Sequence, residues 1–113
     1  MTTRSSSPDN EITLTDLTCH STQDTTGNGD QISIEVGDKP VWGPYPMKLG
    51  EVPLNTTSYF HNSVSIELSV NDANGSKKSL GSRRALADGG SQTLEFKRFG
   101  AYYTLTYQVK EKS

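Results

Sequence analysis

Residues 27–44 constrain the fold of this chain more than any other stretch. They read Gly27-Asn28-Gly29-Asp30-Gln31-Ile32-Ser33-Ile34-Glu35-Val36-Gly37-Asp38-Lys39-Pro40-Val41-Trp42-Gly43-Pro44. A Gly/Asp loop leads into strict alternation, with Ile32, Ile34 and Val36 on one side and Gln31, Ser33 and Glu35 on the other. Successive side chains of an extended strand point to opposite faces, so this pattern predicts a half-buried strand. Gly37-Asp38 supplies turn chemistry, and a second short strand, Lys39–Trp42, carries the single Trp. Gly43-Pro44-Tyr45-Pro46 is expected to end that pairing, because proline cannot donate to a ladder.

The same grammar recurs along the chain. Ser63–Val70 alternates almost perfectly, and in Ala101–Val109 the side chains of Tyr103, Leu105, Tyr107 and Val109 share one face. Glu11–Cys19 switches face between Leu14 and Leu17, which predicts a bulge near Asp16, with Leu17 and Cys19 opposite to Ile12 and Leu14. Glu51–Leu54, interrupted by Pro53, reads as a weak edge strand, and Leu80–Leu86 and Gln92–Phe96 as two further strands. The expected fold class is all-β, a two-sheet antiparallel β-sandwich of seven or eight strands. At 113 residues the chain is expected to hold one domain, 11–110, after a flexible polar segment, 1–10, and before a short tail, 111–113.

Composition agrees with a thin core. Leu, Ile, Val and Phe together make 22 residues, just under a fifth, a fraction that touches the disordered range. Disorder also requires a large net charge, and here it is only −2. Thr, Ser and Tyr take up the difference, and Thr and Tyr favour strands. A single Cys excludes an internal disulfide, and no apolar run reaches membrane-spanning length. Met1–Asn10 lacks the apolar segment of a secretory signal, so the expected location is cytoplasmic, or outside the cell by a leaderless route.

No catalytic constellation is legible, and the chain reads as a non-enzyme. Cys19 and His20 are adjacent and would face opposite ways, so they cannot pair as nucleophile and base. His61 lacks partners, and no His/Cys spacing suits zinc. Three binding readings remain. Asp24, Asn28 and Asp30 in one loop, with Asn71, Asp72 and Asn74 in another, could surround a hard cation such as Ca2+, although turns use the same residue types. Trp42 and Tyr45 could stack on a sugar or base, or Trp42 could cap the core. Residues 1–76 hold 3 basic and 10 acidic side chains, whereas 77–113 hold 8 basic and 3 acidic. That second segment concentrates Lys77, Lys78, Arg83, Arg84, Lys97 and Arg98 as a candidate partner-binding patch.

A longer pattern emerges from these marks. Cys19, Asp24, Gly27, Asp30, the strand to Gly37, Val41-Trp42-Gly43-Pro44, Met47 and Gly50 are followed by Ile66-Glu67-Leu68, Asp72, Leu80-Gly81 and Tyr102-Tyr103-Thr104-Leu105-Thr106-Tyr107. Over roughly residues 12–109 this resembles a family of small bacterial domains that are themselves similar to C2 modules. The resemblance implies a C2-like sandwich with acidic loops at one pole. Asp24, Asp30 and Asp72 match its acidic positions. Val70 and Asn71 stand where acids are expected, and Lys77-Lys78 replaces a second acidic pair, so the implied calcium site is partly erased.

The reading that follows is a non-enzymatic binding module whose polar end loops and basic patch contact an anionic partner: a lipid head group, an acidic protein or a glycan. The alternatives are a structural subunit of a toxin or tail assembly, with homo-oligomer contacts through edge strands, and a calcium-assisted lectin. Nucleic acid is disfavoured, because the total charge is negative and aromatics are not interleaved with the cations.

Overall fold

A computed structural model of the chain describes residues 10–22, 30–71, 77–86, 90–98 and 100–111. Eight strands account for nearly all of them: β1 (Asn10–Ser21), β2 (Asp30–Val36), β3 (Lys39–Met47), β4 (Gly50–Phe60), β5 (Ser63–Asn71), β6 (Lys77–Leu86), β7 (Ser91–Arg98) and β8 (Ala101–Glu111). They form two four-stranded sheets, ordered β4-β1-β8-β7 and β3-β2-β5-β6, and every neighbouring pair is antiparallel. The all-β two-sheet sandwich expected from the alternation is the fold observed. Of the expected lead-in 1–10 and tail 111–113, residues 1–9 and 112–113 lie outside the described residues, whereas Asn10 opens β1 and Glu111 closes β8.

The sheets stack through their alternating apolar rows. Ile12, Leu14, Leu17, Phe96, Tyr103 and Leu105 of the first sheet meet Ile32, Ile34, Ile66 and Leu68 of the second, all essentially inaccessible to water. Burying such side chains contributes roughly 1.5–3 kcal/mol each.

Four local expectations need correcting, and each correction has a physical cause. Leu17 and Cys19 do not lie opposite Ile12 and Leu14. The bulge between Leu14 and Asp16 inserts Thr15 as an extra residue against β8, which resets the phase, so that all four side chains point inward. Thr15 Oγ1 donates to Thr106 O at 3.0 Å and holds that extra residue in place.

Pairing of β3 does not stop at Gly43. It runs on to Met47, with Pro46 opposite Gln31 and Tyr45 opposite Ile32. β3 is an edge strand, where one row of N–H groups has no ladder partner and proline is tolerated. Register shifts on both sides of Ile34 turn the adjacent residues Val41 and Trp42 together against the core. Gly43 (φ 87°) makes this possible, since a Cβ there would lie 2.1 Å from Ile32 O.

The edge position of β4 is as expected, but the strand continues past Leu54 to Phe60. Asn55 takes a positive φ of 50°, a break that Asn tolerates and that conceals the continuation. Ser33, expected outward and solvated, is only 9% exposed, and its Oγ accepts a hydrogen bond from Asn71 Nδ2 at 2.7 Å.

Strand direction divides the molecule into two ends. β1, β5 and β7 finish, and β2, β6 and β8 start, at one end of the molecule. The other end carries the Gly37-Asp38 turn and the His61-Asn62 connection. Gly37 (φ 61°) and Asp38 (φ 67°) form a two-residue hairpin turn with both central residues left-handed, and Val36 pairs with Lys39 across it.

Candidate functional site

The six candidate cations, spread over some twenty residues of sequence, lie on two edge strands of the sandwich. Lys77, Lys78, Arg83 and Arg84 lie on β6, an edge of one sheet, and Lys97 and Arg98 on β7, an edge of the other. All six are exposed. The two edges face each other along one flank, and two arginines tie them together. Arg83 Nε donates to Glu95 O at 3.0 Å, and Arg98 Nη1 donates to Ser79 O at 3.5 Å. Each guanidinium thus reaches from its own sheet to a backbone carbonyl of the other.

The remaining cations are engaged to different degrees. Lys77 Nζ pairs with Glu35 Oε2 at 2.8 Å, with Glu35 the more buried partner. Lys97 lies 4.5 Å from the centre of the Tyr102 ring and 4.0 Å from Glu95 Oε1. The Tyr102 hydroxyl donates to Glu95 Oε2 at 3.2 Å, and its ring packs 4.5 Å from that of His20. Arg84 has no partner among the described residues. Exposed pairs of this kind are weak, typically about 0–1 kcal/mol, and an external anion can displace them.

The candidate calcium ligands divide at the limit of what is described. Asp24, Asn28, Asp72 and Asn74 lie outside the described residues. Asp30 opens β2 and Asn71 closes β5, next to the cross-strand pair Gln31–Asn71, so the two loops leave the same end of the same sheet. Both side chains already have partners. Asp30 is 2% exposed and its Oδ2 accepts a hydrogen bond from the Tyr103 hydroxyl at 2.7 Å. Asn71 Nδ2 donates to Ser33 Oγ and also approaches Gln31 O at 3.4 Å. Among the described residues no three His, Cys, Asp or Glu side chains are grouped to hold a metal ion. Asp30 and Asn71 do not by themselves make a calcium site.

Asp30 and Tyr103 instead join the two sheets inside the molecule. Burial, followed by the hydrogen bond to Asp30, pushes the Tyr103 hydroxyl far above the usual phenol range. Burial also raises the Cys19 thiol, which Tyr103 partly offsets. Cys19 is an inert interior thiol, while the neighbouring His20 is exposed and shares a hydrogen bond with Thr104 Oγ1 at 3.0 Å.

Trp42 and Tyr45 meet with ring centres 5.0 Å apart and planes inclined at 31°. Trp42 packs against the core, and Tyr45 is 43% exposed. Only the tyrosine offers substantial surface to a stacking ligand.

Sequence reasoning overlooked a cleft of about 460 Å³ lined by Val36, Gly37, Lys39, Val41, Ser58, Tyr59 and Val64. Its valines looked like ordinary core positions. The signal available was the cluster of three prolines in β3, which marks an edge of the second sheet that does not pair onward.

No helix of the described residues is long and apolar enough to cross a membrane. Comparison with protein-family models and with curated protein sequences finds no match. Solved structures do match. A C2 domain superposes with a TM-score of 0.59 at 12% identity, covering 89% of this chain and 98% of the other. A C2 domain of a plant extended synaptotagmin 1 superposes with a TM-score of 0.54 at 9% identity, covering 94% and 96%. At such low identity the likeness concerns architecture: this chain has a C2-like β-sandwich fold.

Proposed function

We propose that the protein is a non-catalytic binding module that docks an anionic partner on its β6/β7 flank. The observation carrying this reading is the placement of Lys77, Lys78, Arg83, Arg84, Lys97 and Arg98 on the two edge strands of that flank, all exposed, with Lys77 paired to Glu35 and Lys97 to Glu95 among the described residues. A two-layer body of paired strands presents those charges at fixed spacing, so little side-chain and loop ordering is needed on contact. The two solved C2 domains share the scaffold, which supports a presenting role for it. Contact is direct, through the cations, and needs no bridging calcium.

Flotation with phosphatidylserine vesicles against neutral vesicles tests the lipid form of this reading. The expected result is recovery with the anionic vesicles alone, weakening with added salt and unchanged by a calcium chelator. Charge reversal at Lys78 and Arg84, which leaves the two seam arginines in place, should abolish it. Equal recovery on neutral lipid, unaffected by the reversal, would remove the lipid form. Binding to an acidic polypeptide column with the same salt and charge dependence would then carry the reading.

A further inference from the structure

The cleft on the opposite flank is independent of the basic seam and has its own chemistry. Its floor is Val36, Val41 and Val64 of the second sheet, its far wall is Ser58 of β4, and half-exposed Tyr59 stands at its rim. It sits at the end of the sandwich that carries the Gly37-Asp38 turn, between the second sheet and edge strand β4 of the first. A volume of this size lies within the ~300–1,000 Å³ range of small-molecule sites. The valine side chains of the floor carry no polar atoms, so an apolar body can settle on them without breaking a side-chain hydrogen bond there.

One cation belongs to the cleft. Lys39 lines it, is exposed, and has no hydrogen-bond or ion-pair partner among the described residues. Asp38, its neighbour in the turn, does not line the cleft. Three valines, a tyrosine and one exposed lysine lining the cleft match a particular ligand shape: an apolar body that ends in a single anionic group. From this we infer that the cleft binds a small amphiphilic carboxylate, with its hydrocarbon or aromatic body between the sheets and its carboxylate on Lys39 Nζ. Desolvating the valines and the ligand body supplies affinity, and the ammonium selects the head group and fixes its direction.

Decanoate, kept below its micelle concentration, is a suitable probe, with decanol and decyltrimethylammonium as head-group controls. Backbone NMR titration of the whole chain should show saturable shifts at Gly37, Val41, Ser58 and Val64. Decanol and the ammonium should bind measurably more weakly, by up to about fivefold, the size of effect expected when one exposed charge pair is lost. Lys39→Met should weaken decanoate by a similar factor while leaving decanol unchanged, a pattern that a misfolded variant cannot produce. Val64→Phe, which fills the floor, should abolish binding of both. Equal affinity for the three probes, shifts spread over the surface, or retained decanoate affinity in Lys39→Met would each overturn the inference. So would shifts at the cleft that follow protein concentration alone, which would make a second copy the occupant. Charge reversal at Lys78 and Arg84 leaves these titrations untouched, so this inference and the proposed function fail separately.

Discussion

The two flanks of the sandwich close the same pair of sheets in different ways. At the β6/β7 flank, Arg83 and Arg98 each cross to a carbonyl of the opposite sheet, and the edges are held against one another. At the β3/β4 flank the sheets part around a valine-lined cleft. The difference follows from what each edge strand carries. β6 and β7 hold long guanidinium side chains, which can satisfy a distant acceptor while keeping their charge in water. β3 carries three prolines, and β4 carries one proline and an Asn with positive φ, features that blunt an edge without offering donors that span a gap. Charge and closure therefore coincide on one flank, and apolar surface and opening on the other.

Several substitutions can break this contrast or sharpen it. The largest effect is expected from Gly43→Ala on the open flank. Its Cβ would collide with Ile32 O, so β3 must leave β2, at a cost of about 3 kcal/mol or more by urea denaturation. An unchanged midpoint would mean that β3 is not seated as described, and the cleft would lose one wall. Tyr103→Phe, in the interior between the flanks, leaves the buried Asp30 carboxylate without its hydroxyl donor and should cost about 2 kcal/mol.

That same tyrosine, together with Tyr107, whose hydroxyl burial also pushes above the usual phenol range, shapes the alkaline limit of the fold. The Tyr103 and Cys19 pKa values are both raised on folding, so above the unfolded values, near 9 for the thiol and 10 for the phenol, the unfolded chain binds fewer protons than the folded one. Stability is full below those values and falls as pH rises through them toward the folded pKa values. In wild type the denaturation midpoint should decline from about pH 9 upward, and Tyr103→Phe should flatten the part of the decline above about pH 10. A flat wild-type profile to about pH 11 would contradict the buried pairing.

Smaller effects probe the closed flank. Arg83→Ala combined with Arg98→Ala should cost about 1 kcal/mol, because both groups are exposed and water replaces their hydrogen bonds. The sharper readout is hydrogen exchange: amides of β6 and β7 should lose protection in the double variant while those of β3 and β4 stay as they were. Lys77→Ala removes one surface pair with Glu35, and a change below about 0.5 kcal/mol that disappears at high salt is expected.

Much of this architecture was legible in the alternation. The inward rows of β2, β5 and β8 could be read directly, since a period of two with one buried face has a single consistent register. The phase change in β1 revealed its bulge, yet not that the bulge would restore Leu17 and Cys19 to the core. That depends on which neighbour absorbs the extra residue, Thr15 against Thr106. The continuation of β3 through Pro44 and Pro46 was hidden, because the rule against proline in a ladder relaxes only at an edge, and edge position is a property of the sheet. The basic residues were recognised as a group from charge alone. Their engagement with Glu95 O, Ser79 O, Glu35 and Tyr102 could not be read, because those partners are brought close only by the stacking of strands. Asp30 looked like a loop ligand and proved to be a buried acceptor for a tyrosine 73 positions away.

By itself, the sequence determined an all-β sandwich with a thin core and an uneven distribution of charge, since strand period, turn residues and net charge are local quantities. The tertiary structure alone decided which edges meet, that arginines fasten one flank, and that valines, a tyrosine and Lys39 surround an opening on the other. Those are relations between residues far apart in the chain, and they take shape only when two sheets stack and each side chain competes for the same limited interior.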